Sequence, residues 1–404
     1  MMGCRWIPVL AIGYWASSSA ADWPQWRGPH RDGISAETGL LPTWPAGGPR
    51  LAWKAEGLGE GYSSFAVVGD RLYTQGQYGD QEFVVAFDTK AGKQLWKTPS
   101  GRAYHESRGN GPRGTPTVDG DRLYALGADG TLLCLDTATG QRVWGMNVVG
   151  RFGGRVPNWG VSESPLLDGN RVIVTPGGPG ASVVALEKTN GNLLWQSQSD
   201  PAGYSSPVTV DAAQSRTVVV FTARAAIGLD VNSGELQWRY DKAANRTANI
   251  ATPIVHDGYV FLSSDYGTGC ALLKLTPGGS TVTASEIYFN RDMRNHYSSS
   301  VLVGDYLYGF SSNILTAMRF LTGEVAWRNR SVGKGSVTYA EGNLYALSED
   351  GMVGLIEASP DGYKEKSRFE IHKGSYPTWT PPVIASGKLY LRDQDNLYCY
   401  NINR

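Results

Sequence analysis

Helical patterning and net charge are both missing from this 404-residue sequence. No long stretch repeats apolar residues at the spacing of a helix face, which points away from helices. Lysine plus arginine and aspartate plus glutamate each total 37, so no global positive charge draws the chain to nucleic acid or to an anionic membrane. No charge run, low-complexity tract or Pro/Ser-rich linker divides the chain, and one large unit is the simplest interpretation.

Cysteine is scarce, with four residues, and no pair has the C-x-x-C spacing of a metal site. Cys4 precedes the apolar run near the N-terminus, whereas a lipoprotein acylation site would have to follow that run. Cys134, Cys270 and Cys399 form an odd and widely spaced set that gives no disulfide framework. We interpret these three as small buried hydrophobic residues.

Established catalytic motifs are missing as well. The chain has no Gly-x-Ser-x-Gly elbow, P-loop or dinucleotide-binding fingerprint, and His30, His256 and His372 are scattered without metal-site spacing. Two acidic segments, YGDQE at 78–82 and RDQDN at 392–396, are acidic enough for calcium. They stand where hairpin turns belong, and turn chemistry explains their Asp and Asn residues more simply.

Residues 1–20 have the pattern of a secretory signal peptide. Arg5 precedes an apolar run at 6–15, and small residues at 17–21 lead to Asp22. Cleavage is predicted after Ala20 or Ala21, which would place the mature protein in the periplasm or outside the cell. The apolar run is too short for a permanent membrane anchor. An ordinary N-terminal extension is the alternative.

Glycine, tyrosine and tryptophan, by contrast, are abundant, with 51, 21 and 13 residues. Together with short apolar strands between tight turns, this composition indicates an all-β protein. The clearest unit spans 120–144, GDRLYALGADGTLLCLDTATGQRVW, in which two strands and an Asp-x-x-Thr-Gly turn lead to a strand that ends on tryptophan. The unit recurs, and its closing tryptophans are Trp96, Trp144, Trp195, Trp238 and Trp327.

Eight opening strands can be recognised, beginning near residues 63, 114, 163, 205, 251, 298, 335 and 380. A repeat of about 40 to 50 residues with four short strands predicts an eight-bladed β-propeller with four-stranded antiparallel blades. The last unit stops before its closing strand, and an isolated strand at 51–56 can supply it. We therefore predict a propeller over 51–404 whose N-terminal strand closes the last blade. A Pro- and Gly-rich lead-in at 21–50 is expected to pack across one face.

The Asp-x-x-Thr-Gly-x-x-x-Trp ending has a structural explanation. Aspartate accepts backbone N–H bonds across the turn, and glycine takes the positive φ that the turn needs. The indole packs against the next blade, and its N–H must find an acceptor. Blades 5 and 7 have lost the tryptophan, and a degenerate closing strand is predicted near Ile287 and Tyr288. The tryptophans expected to hold the blades together are Trp53, Trp96, Trp144, Trp195, Trp238 and Trp327.

This repeated ending resembles the tryptophan-docking motif of the pyrroloquinoline quinone (PQQ) repeat propellers. That superfamily includes PQQ-dependent alcohol dehydrogenases and the non-enzymatic propeller lipoprotein of the outer-membrane β-barrel assembly machinery. The segments DWPQWRGPHRDG at 22–33, RGTPTVDGDRLYALG at 113–127 and YLRDQDNLYCY at 390–400 are more narrowly similar to exported, single-domain PQQ-like proteins of planctomycete-type bacteria. The resemblance covers residues 51–404 and implies the propeller fold.

The resemblance does not bring the dehydrogenase chemistry with it. PQQ dehydrogenases typically have a vicinal disulfide over the cofactor and hold calcium through Glu, Asn and Asp side chains. This chain has no adjacent cysteines, and we cannot place the calcium ligands on its residues. No cofactor is therefore expected, and PQQ with calcium is the alternative.

Loops that lead from a closing strand to the next opening strand all emerge on one face of a propeller, which we call the funnel face. Here they span 97–114, 145–162, 196–205, 239–251, 288–299, 328–335 and 370–380, and they carry 15 lysines and arginines against five acids. A basic funnel favours an anionic ligand or an acidic partner segment. The alternative is that the basic residues merely solvate exposed loops.

These loops combine Arg and Asn donors with Trp and Tyr platforms, which suits carboxylates, sugars or a quinone. For any one of these residues, an ordinary loop hydrogen bond is the alternative. His105 leads into blade 2 and His296 into blade 6, on opposite sides of the ring, so the two histidines are too far apart to share a metal ion. The candidate binding residues are His105, Arg108, Asn110, Arg113, Arg155, Asn158, Trp159, Tyr204, Asn245, Arg246, Asn249, Asn295, His296 and Trp379.

The combined prediction is an exported, monomeric, non-catalytic propeller that binds a protein partner or a small anionic ligand at the funnel face. A PQQ-dependent oxidoreductase, with the cofactor in the same funnel beside calcium, is the main alternative. A polysaccharide hydrolase or lyase is a third option that rests only on the aromatic-rich loops.

Overall fold

The computed structural model describes residues 22–212, 215–279, 281–372 and 374–404. The predicted signal peptide at 1–20 lies outside these ranges. Eight sheets are present in the described chain, which confirms the predicted eight-bladed propeller. No helix in the same ranges is long and apolar enough to cross a bilayer.

Each blade has four antiparallel strands, and a short lead-in strand joins one blade as a fifth. Before the blades come β1 (Ile34–Ser35) and β2 (Leu51–Glu56). Blades 1 to 4 comprise β3 (Ala66–Val68), β4 (Arg71–Tyr78), β5 (Gln81–Asp88), β6 (Gln94–Arg102); β7 (Thr117–Asp119), β8 (Arg122–Leu126), β9 (Thr131–Asp136), β10 (Arg142–Asn147), then α1 (Val148–Arg151); β11 (Leu166–Asp168), β12 (Arg171–Val174), β13 (Val183–Glu187), β14 (Leu193–Ser197); and β15 (Val208–Ala212), β16 (Ser215–Phe221), β17 (Ala226–Asp230), β18 (Leu236–Tyr240).

The second half of the ring repeats this order. Blades 5 to 8 comprise β19 (Ile254–His256), β20 (Tyr259–Ser264), β21 (Gly269–Gly278), β22 (Thr281–Asn290); β23 (Val301–Val303), β24 (Tyr306–Ser311), β25 (Ile314–Arg319), β26 (Val325–Asn329); β27 (Gly335–Ala340), β28 (Asn343–Ser348), β29 (Met352–Glu357), β30 (Glu365–Glu370); and β31 (Val383–Ala385), β32 (Lys388–Asp393), β33 (Asn396–Asn401).

The N-terminal strand closes the ring as predicted. β2 pairs antiparallel with β33, with Trp53 opposite Cys399 and Glu56 opposite Asn396. The two ends of the propeller also meet through the lead-in, where the Leu41 N–H donates to the Ile402 carbonyl at 2.7 Å. Ring closure is therefore non-covalent but extends over a full strand.

The hydrophobic core is divided into eight clusters, and each cluster lies between two successive blades. The cluster that joins the last blade to the first contains Tyr390, Cys399 and Phe87. Burial of apolar area thus favours contact between blades all the way around the ring. No blade has a complete core of its own.

Closing-strand tryptophans connect these blades by hydrogen bonds as well. The Trp195 indole N–H donates to the Val231 carbonyl in the turn of blade 4, at 3.0 Å. In that turn Asp230 accepts two backbone N–H bonds, and Gly234, at a φ of 74°, lies directly under the indole. The same donation to the next blade is made by Trp53 to Thr89, Trp96 to Thr137, Trp144 to Lys188 and Trp327 to Ser359.

Blades 5 and 7 lack the closing-strand tryptophan, and different contacts replace it in each blade. In blade 5 the Tyr288 hydroxyl donates to the Phe320 carbonyl of blade 6, at 2.9 Å. In blade 7 the corresponding position is Ser367, which accepts a hydrogen bond from the Trp44 backbone N–H at 2.7 Å. Trp44 belongs to the lead-in, and its ring packs against Phe369 with a centroid distance of 5.3 Å. The lead-in therefore supplies a tryptophan where the repeat has none.

Part of the lead-in inserts into the central channel, whereas the sequence suggested that it packs across one face. Trp23 pairs with Val67, the middle residue of the first strand of blade 1. The chain then reaches Thr252, ahead of β19, through the side chain of Trp26. It returns along β27, with which β1 pairs in parallel. We call residues 23–35 the plug, because they contact the axis-facing strands on all sides of the ring.

Two buried arginines anchor the tip of the plug. Arg27 donates to the Ser300 carbonyl at 2.6 Å, and Arg31 donates to the carbonyls of Ser164 at 3.2 Å and Pro207 at 2.9 Å. These carbonyls precede the first strands of blades 6, 3 and 4. Burial lowers the pKa of Arg31 to about 9, so the guanidinium still carries its charge at neutral pH. Multiple hydrogen bonds compensate for the removal of that charge from water.

Candidate functional site

A cavity of about 440 Å³ opens at the centre of the funnel face, and we call it the cup. The plug supplies Trp26, whose indole N–H donates to Thr252 Oγ1 at 2.8 Å and closes the bottom of the cup. Most of the remaining lining comes from the loops between blades. The lining residues are Trp26, Tyr62, Arg108, Arg113, Trp159, Ser162, Tyr204, Ser206, Thr247, Ile250, Thr252, Tyr266, His296, Tyr297, Lys334, Glu349, Pro377 and Trp379.

Six of the residues predicted from the sequence line the cup together. They come from five different loops, and the ring architecture directs these loops toward one axis. The six are Arg108, Arg113, Trp159, Tyr204, His296 and Trp379.

The other predicted residues do not line the cup. Asn245 and Asn249 are buried and bonded within their own loop, where Asn249 Oδ1 accepts the Asn245 N–H at 2.9 Å and the Asn245 side chain donates to the Ala248 carbonyl at 2.7 Å. Asn295 is buried and donates to the Phe310 carbonyl at 3.1 Å. Asn110 donates to Glu60 Oε2 at 2.8 Å. The remaining four outside the lining are His105, Arg155, Asn158 and Arg246, and all four are exposed.

Aromatic rings form two walls of the cup. On one side Trp379 lies between Tyr62 and Tyr297, with centroid distances of 4.9 Å and 5.7 Å. On the other side Trp159 and Tyr204 are 5.5 Å apart. Aromatic side chains from loops that are remote in sequence thus line one cavity.

The polar groups of these walls are largely occupied by the protein itself. Trp379 donates to Glu349 Oε1 at 2.7 Å, and Lys334 forms an ion pair with the same oxygen at 2.9 Å. The Tyr62 hydroxyl donates to the Arg108 carbonyl at 2.5 Å. The Arg113 guanidinium donates to the carbonyls of the loop that carries it and lies over Tyr62, 5.5 Å from the centroid. These contacts hold the walls in place.

Pairing reduces the positive charge that the loop sequences predict. Arg239 is bound to Asp200 at 2.7 Å, Lys242 to Glu286 at 2.9 Å, and Lys334 to Glu349. Arg108 is exposed, and its guanidinium makes no hydrogen bond or ion pair with any described side chain. The positive potential of the cup therefore rests on Arg108 and on Arg113, whose guanidinium bonds only to carbonyls.

His296 stands beside this arginine in the cup. Its Nε2 lies 3.1 Å from the Tyr266 hydroxyl, while its buried Nδ1 has no hydrogen-bond partner among the described residues. Burial, followed by the charge of Lys334, lowers the pKa of His296 below its usual value, so the ring is neutral at pH 7. Arg108 contributes to the same shift, whereas burial raises the pKa of Tyr266 and the charge of Arg108 only opposes that rise.

The donor set does not fit PQQ held beside calcium. Calcium requires six to eight oxygen ligands, mostly carboxylates and carbonyls. Glu349 is the one carboxylate among the described lining residues, and it is already bound to Lys334 and Trp379. The two acidic segments are hairpin turns, as predicted: they join β4 to β5 and β32 to β33. In the second, Asp393 accepts bonds from Gly374 and Thr378.

Sequence reasoning missed several cup residues for identifiable reasons. Tyr266 and Glu349 lie in turns between the second and third strands of blades 5 and 7, which also open on the funnel face. Trp26 lies in the plug, whose path no repeat could indicate. Tyr297 follows His296 directly, and its place at the start of a blade was the available signal.

A family model described as Outer membrane protein assembly factor BamB matches residues 42–149 and 80–329 of the chain. The protein of that name from Moranella endobia is 25% identical over 305 residues, which are 71% of this chain and 74% of that protein. The Yersinia pestis protein of the same name is 22% identical over 302 residues, covering 71% and 73%.

Solved structures give the same architecture. BamB from Moraxella catarrhalis superposes with a TM-score of 0.60 at 16% identity, over 85% of this chain and 94% of that one. The quinohemoprotein alcohol dehydrogenase of Comamonas testosteroni gives a TM-score of 0.67 at 13% identity, over 94% and 80%. At these identities the likeness establishes a common fold.

Proposed function

Because this chain belongs to the PQQ-like propeller family whose model is described as Outer membrane protein assembly factor BamB, we propose that it is an exported, non-catalytic binding protein. It engages a protein partner at the funnel face, and the cup is the centre of that contact. The process that it serves is the assembly of outer membrane proteins, which the names of its relatives state. It acts in the periplasm after removal of residues 1–20 and needs no cofactor.

One observation carries this proposal: an open cup of aromatic and cationic side chains lies at the centre of a rigid ring. Aromatic residues and arginine are enriched where proteins bind one another, and concave sites bury the partner's anchoring side chains best. The polar groups of the cup are bonded mainly to each other, and its carboxylate is paired with Lys334. This arrangement supports recognition rather than proton transfer or nucleophilic attack.

Deletion of the gene in the source bacterium tests the function. We expect lower amounts of folded outer membrane proteins, measured in isolated envelopes, and restoration by a plasmid copy of the wild-type chain. A copy with both Arg108→Ala and His296→Ala should restore them poorly. A copy with Arg142→Ala, an exposed arginine on the outer strand β10, is the matched control and should restore them fully. An unchanged envelope in the deletion strain would contradict the proposal.

A further inference from the structure

Two polar groups in the cup are left free by the protein. The guanidinium of Arg108 has no hydrogen bond or ion pair within the described chain, and His296 Nδ1 is buried without a partner. An unbonded buried nitrogen is costly unless a ligand completes its bonding. These two groups therefore mark the place where a bound partner adds its own polar atoms.

The Arg108 guanidinium and the His296 imidazole belong to the same cavity, although their loops are far apart in sequence. Arg108 lies in the loop before blade 2, and His296 lies in the loop before blade 6, on the opposite side of the ring. Both side chains nevertheless line the same cavity, together with Tyr266, whose hydroxyl lies 3.1 Å from His296 Nε2. A carboxylate bound in the cup between Arg108 and His296 would meet a cation and an imidazole nitrogen together.

The rest of the cup is suited to a flat apolar group. Tyr62, Trp379 and Tyr297 form a continuous wall, and the opposite wall presents a second aromatic pair. A sugar would need hydrogen-bond partners for each of its hydroxyls, but the indole of Trp379, the hydroxyl of Tyr62 and the floor Trp26 already have partners. An aromatic ring needs only packing against these faces.

We propose that the cup receives an aromatic side chain from an acidic segment of the partner protein, and that Arg108 and His296 bind a carboxylate next to that side chain. This inference rests on the proposed function, because it names the chemistry of the partner at the same site. Charge complementarity selects the carboxylate, and the aromatic walls select the ring.

Calorimetric titration with a short peptide tests the inference. The probe is acetyl-Gly-Asp-Phe-Asp-Gly-amide, and two further peptides replace both Asp by Asn or the Phe by Ala. We expect saturable binding of the first peptide, with about tenfold weaker binding when either feature is removed, the typical effect of one charge-assisted bond or one buried ring. Phenylalanine leaves the fluorescence of the cup tryptophans available as a second readout.

A double-mutant cycle assigns the carboxylate to its partner. Arg108→Ala should weaken binding of the Asp peptide about tenfold and leave the Asn peptide nearly unaffected. Arg142→Ala should leave both unchanged, and circular dichroism checks that each variant is folded. Equal effects of Arg108→Ala on both peptides would contradict the proposal that Arg108 binds the carboxylate.

Two further outcomes would contradict the proposal that an aromatic side chain of an acidic segment binds in the cup. One is equal binding of the Phe and Ala peptides, and the other is binding of a neutral disaccharide at least as tight as that of the first peptide. Either result, combined with an envelope defect in the deletion strain, would reject the aromatic–acidic segment and keep the assembly function. An unaltered envelope with tight peptide binding would reject the function and keep the ligand chemistry.

Discussion

Trp195 and Trp238 occupy the same position in blades 3 and 4, and both are buried, yet within the described part of the chain only Trp195 has a hydrogen-bond acceptor. The difference originates in the next blade. Trp195 meets the short turn of blade 4, whereas Trp238 faces blade 5, in which β21 continues as a strand to Gly278. Blade 5 therefore has no short turn at the position where Val231 accepts from Trp195, and the Trp238 indole N–H has no acceptor among the described residues.

Replacement of each tryptophan by phenylalanine should separate the hydrogen bond from the packing. Both substitutions remove similar ring volume, but only Trp195→Phe removes a bond. We expect Trp195→Phe to lower the free energy of unfolding by about 1 kcal/mol more than Trp238→Phe. Urea unfolding followed by circular dichroism measures the difference. Equal losses would mean that the indole N–H contributes nothing at this position.

A buried carboxyl makes stability depend on pH. Glu82 accepts one bond from the Ala128 N–H at 3.0 Å, and its Oε1 has no partner among the described residues. Burial raises the pKa of Glu82 to about 8, against about 4.5 when the chain is unfolded. The folded state thus holds the proton more tightly, and stability is lost as the pH rises from about 4.5 through 8.

The variant Glu82→Gln should remove this part of the pH dependence. Between pH 5 and pH 8.5 the wild-type free energy of unfolding should fall by roughly 1–3 kcal/mol more than that of the variant, the cost of an incompletely bonded buried group. Urea unfolding at both pH values is the measurement. Glu235→Gln, at an exposed position, is the control and should behave like the wild type. A variant that loses as much stability as the wild type would contradict this assignment.

At the scale of elements, the plug is held in the ring by several hydrogen bonds from single buried side chains. Arg31 alone bonds to carbonyls ahead of blades 3 and 4, including that of Pro165. Arg31→Met would keep much of the side-chain volume but remove the hydrogen bonds that Arg31 donates to these carbonyls. We expect a loss of roughly 2–4 kcal/mol in the free energy of unfolding, together with faster proteolysis within residues 23–35.

The matched control for this experiment is Arg142→Met, because Arg142 is exposed on an outer strand. Urea unfolding and mass spectrometry of tryptic fragments provide the two readouts. If Arg31→Met unfolds like Arg142→Met and its plug stays resistant to protease, the carbonyl contacts do not stabilise the plug.

Elements that carry a repeat motif or a strand pattern in their own sequence could be predicted. Elements whose position depends only on contacts with distant segments could not. The closing strand at Leu51–Glu56 was predictable because Trp53 marks it as one more repeat ending. The plug was not, because its prolines and glycines have no periodicity and its partners lie in other blades. In the cup, Arg108 and Trp379 were identified by their loops, while Trp26 and Glu349 depended on how distant segments meet.

At the scale of the whole molecule, three buried cysteines report on how the ring opens. Cys134, Cys270 and Cys399 belong to blades 2, 5 and 8, and all three are fully buried. Burial raises the pKa of Cys134 to about 11 and that of Cys399 to about 12, so their thiols are unreactive in the folded protein. Labelling therefore requires a blade to open.

Single-cysteine chains expressed from residue 21 should label at different rates in low urea. We expect Cys399 to react at least about tenfold faster than Cys134, because blade 8 is closed only by non-covalent pairing with β2 and so opens at lower free energy. Quenched-flow labelling with a thiol reagent measures the rates. Equal rates for all three cysteines would show that the ring opens as one unit.

The pairing of β2 with β33 also means that the ring can close only after the last strand has been synthesised. Synthesis proceeds from the N-terminus, so β2 and the plug are made first, while β33, the partner strand of β2, is made last. Such distant pairing is slow to form, because the chain between must first be ordered. Throughout elongation β2 has no partner strand, and the cup is complete only once the segment that carries Trp379 has been made. A chain that ends early therefore lacks both the ring and the cup, so truncated copies cannot compete for the partner.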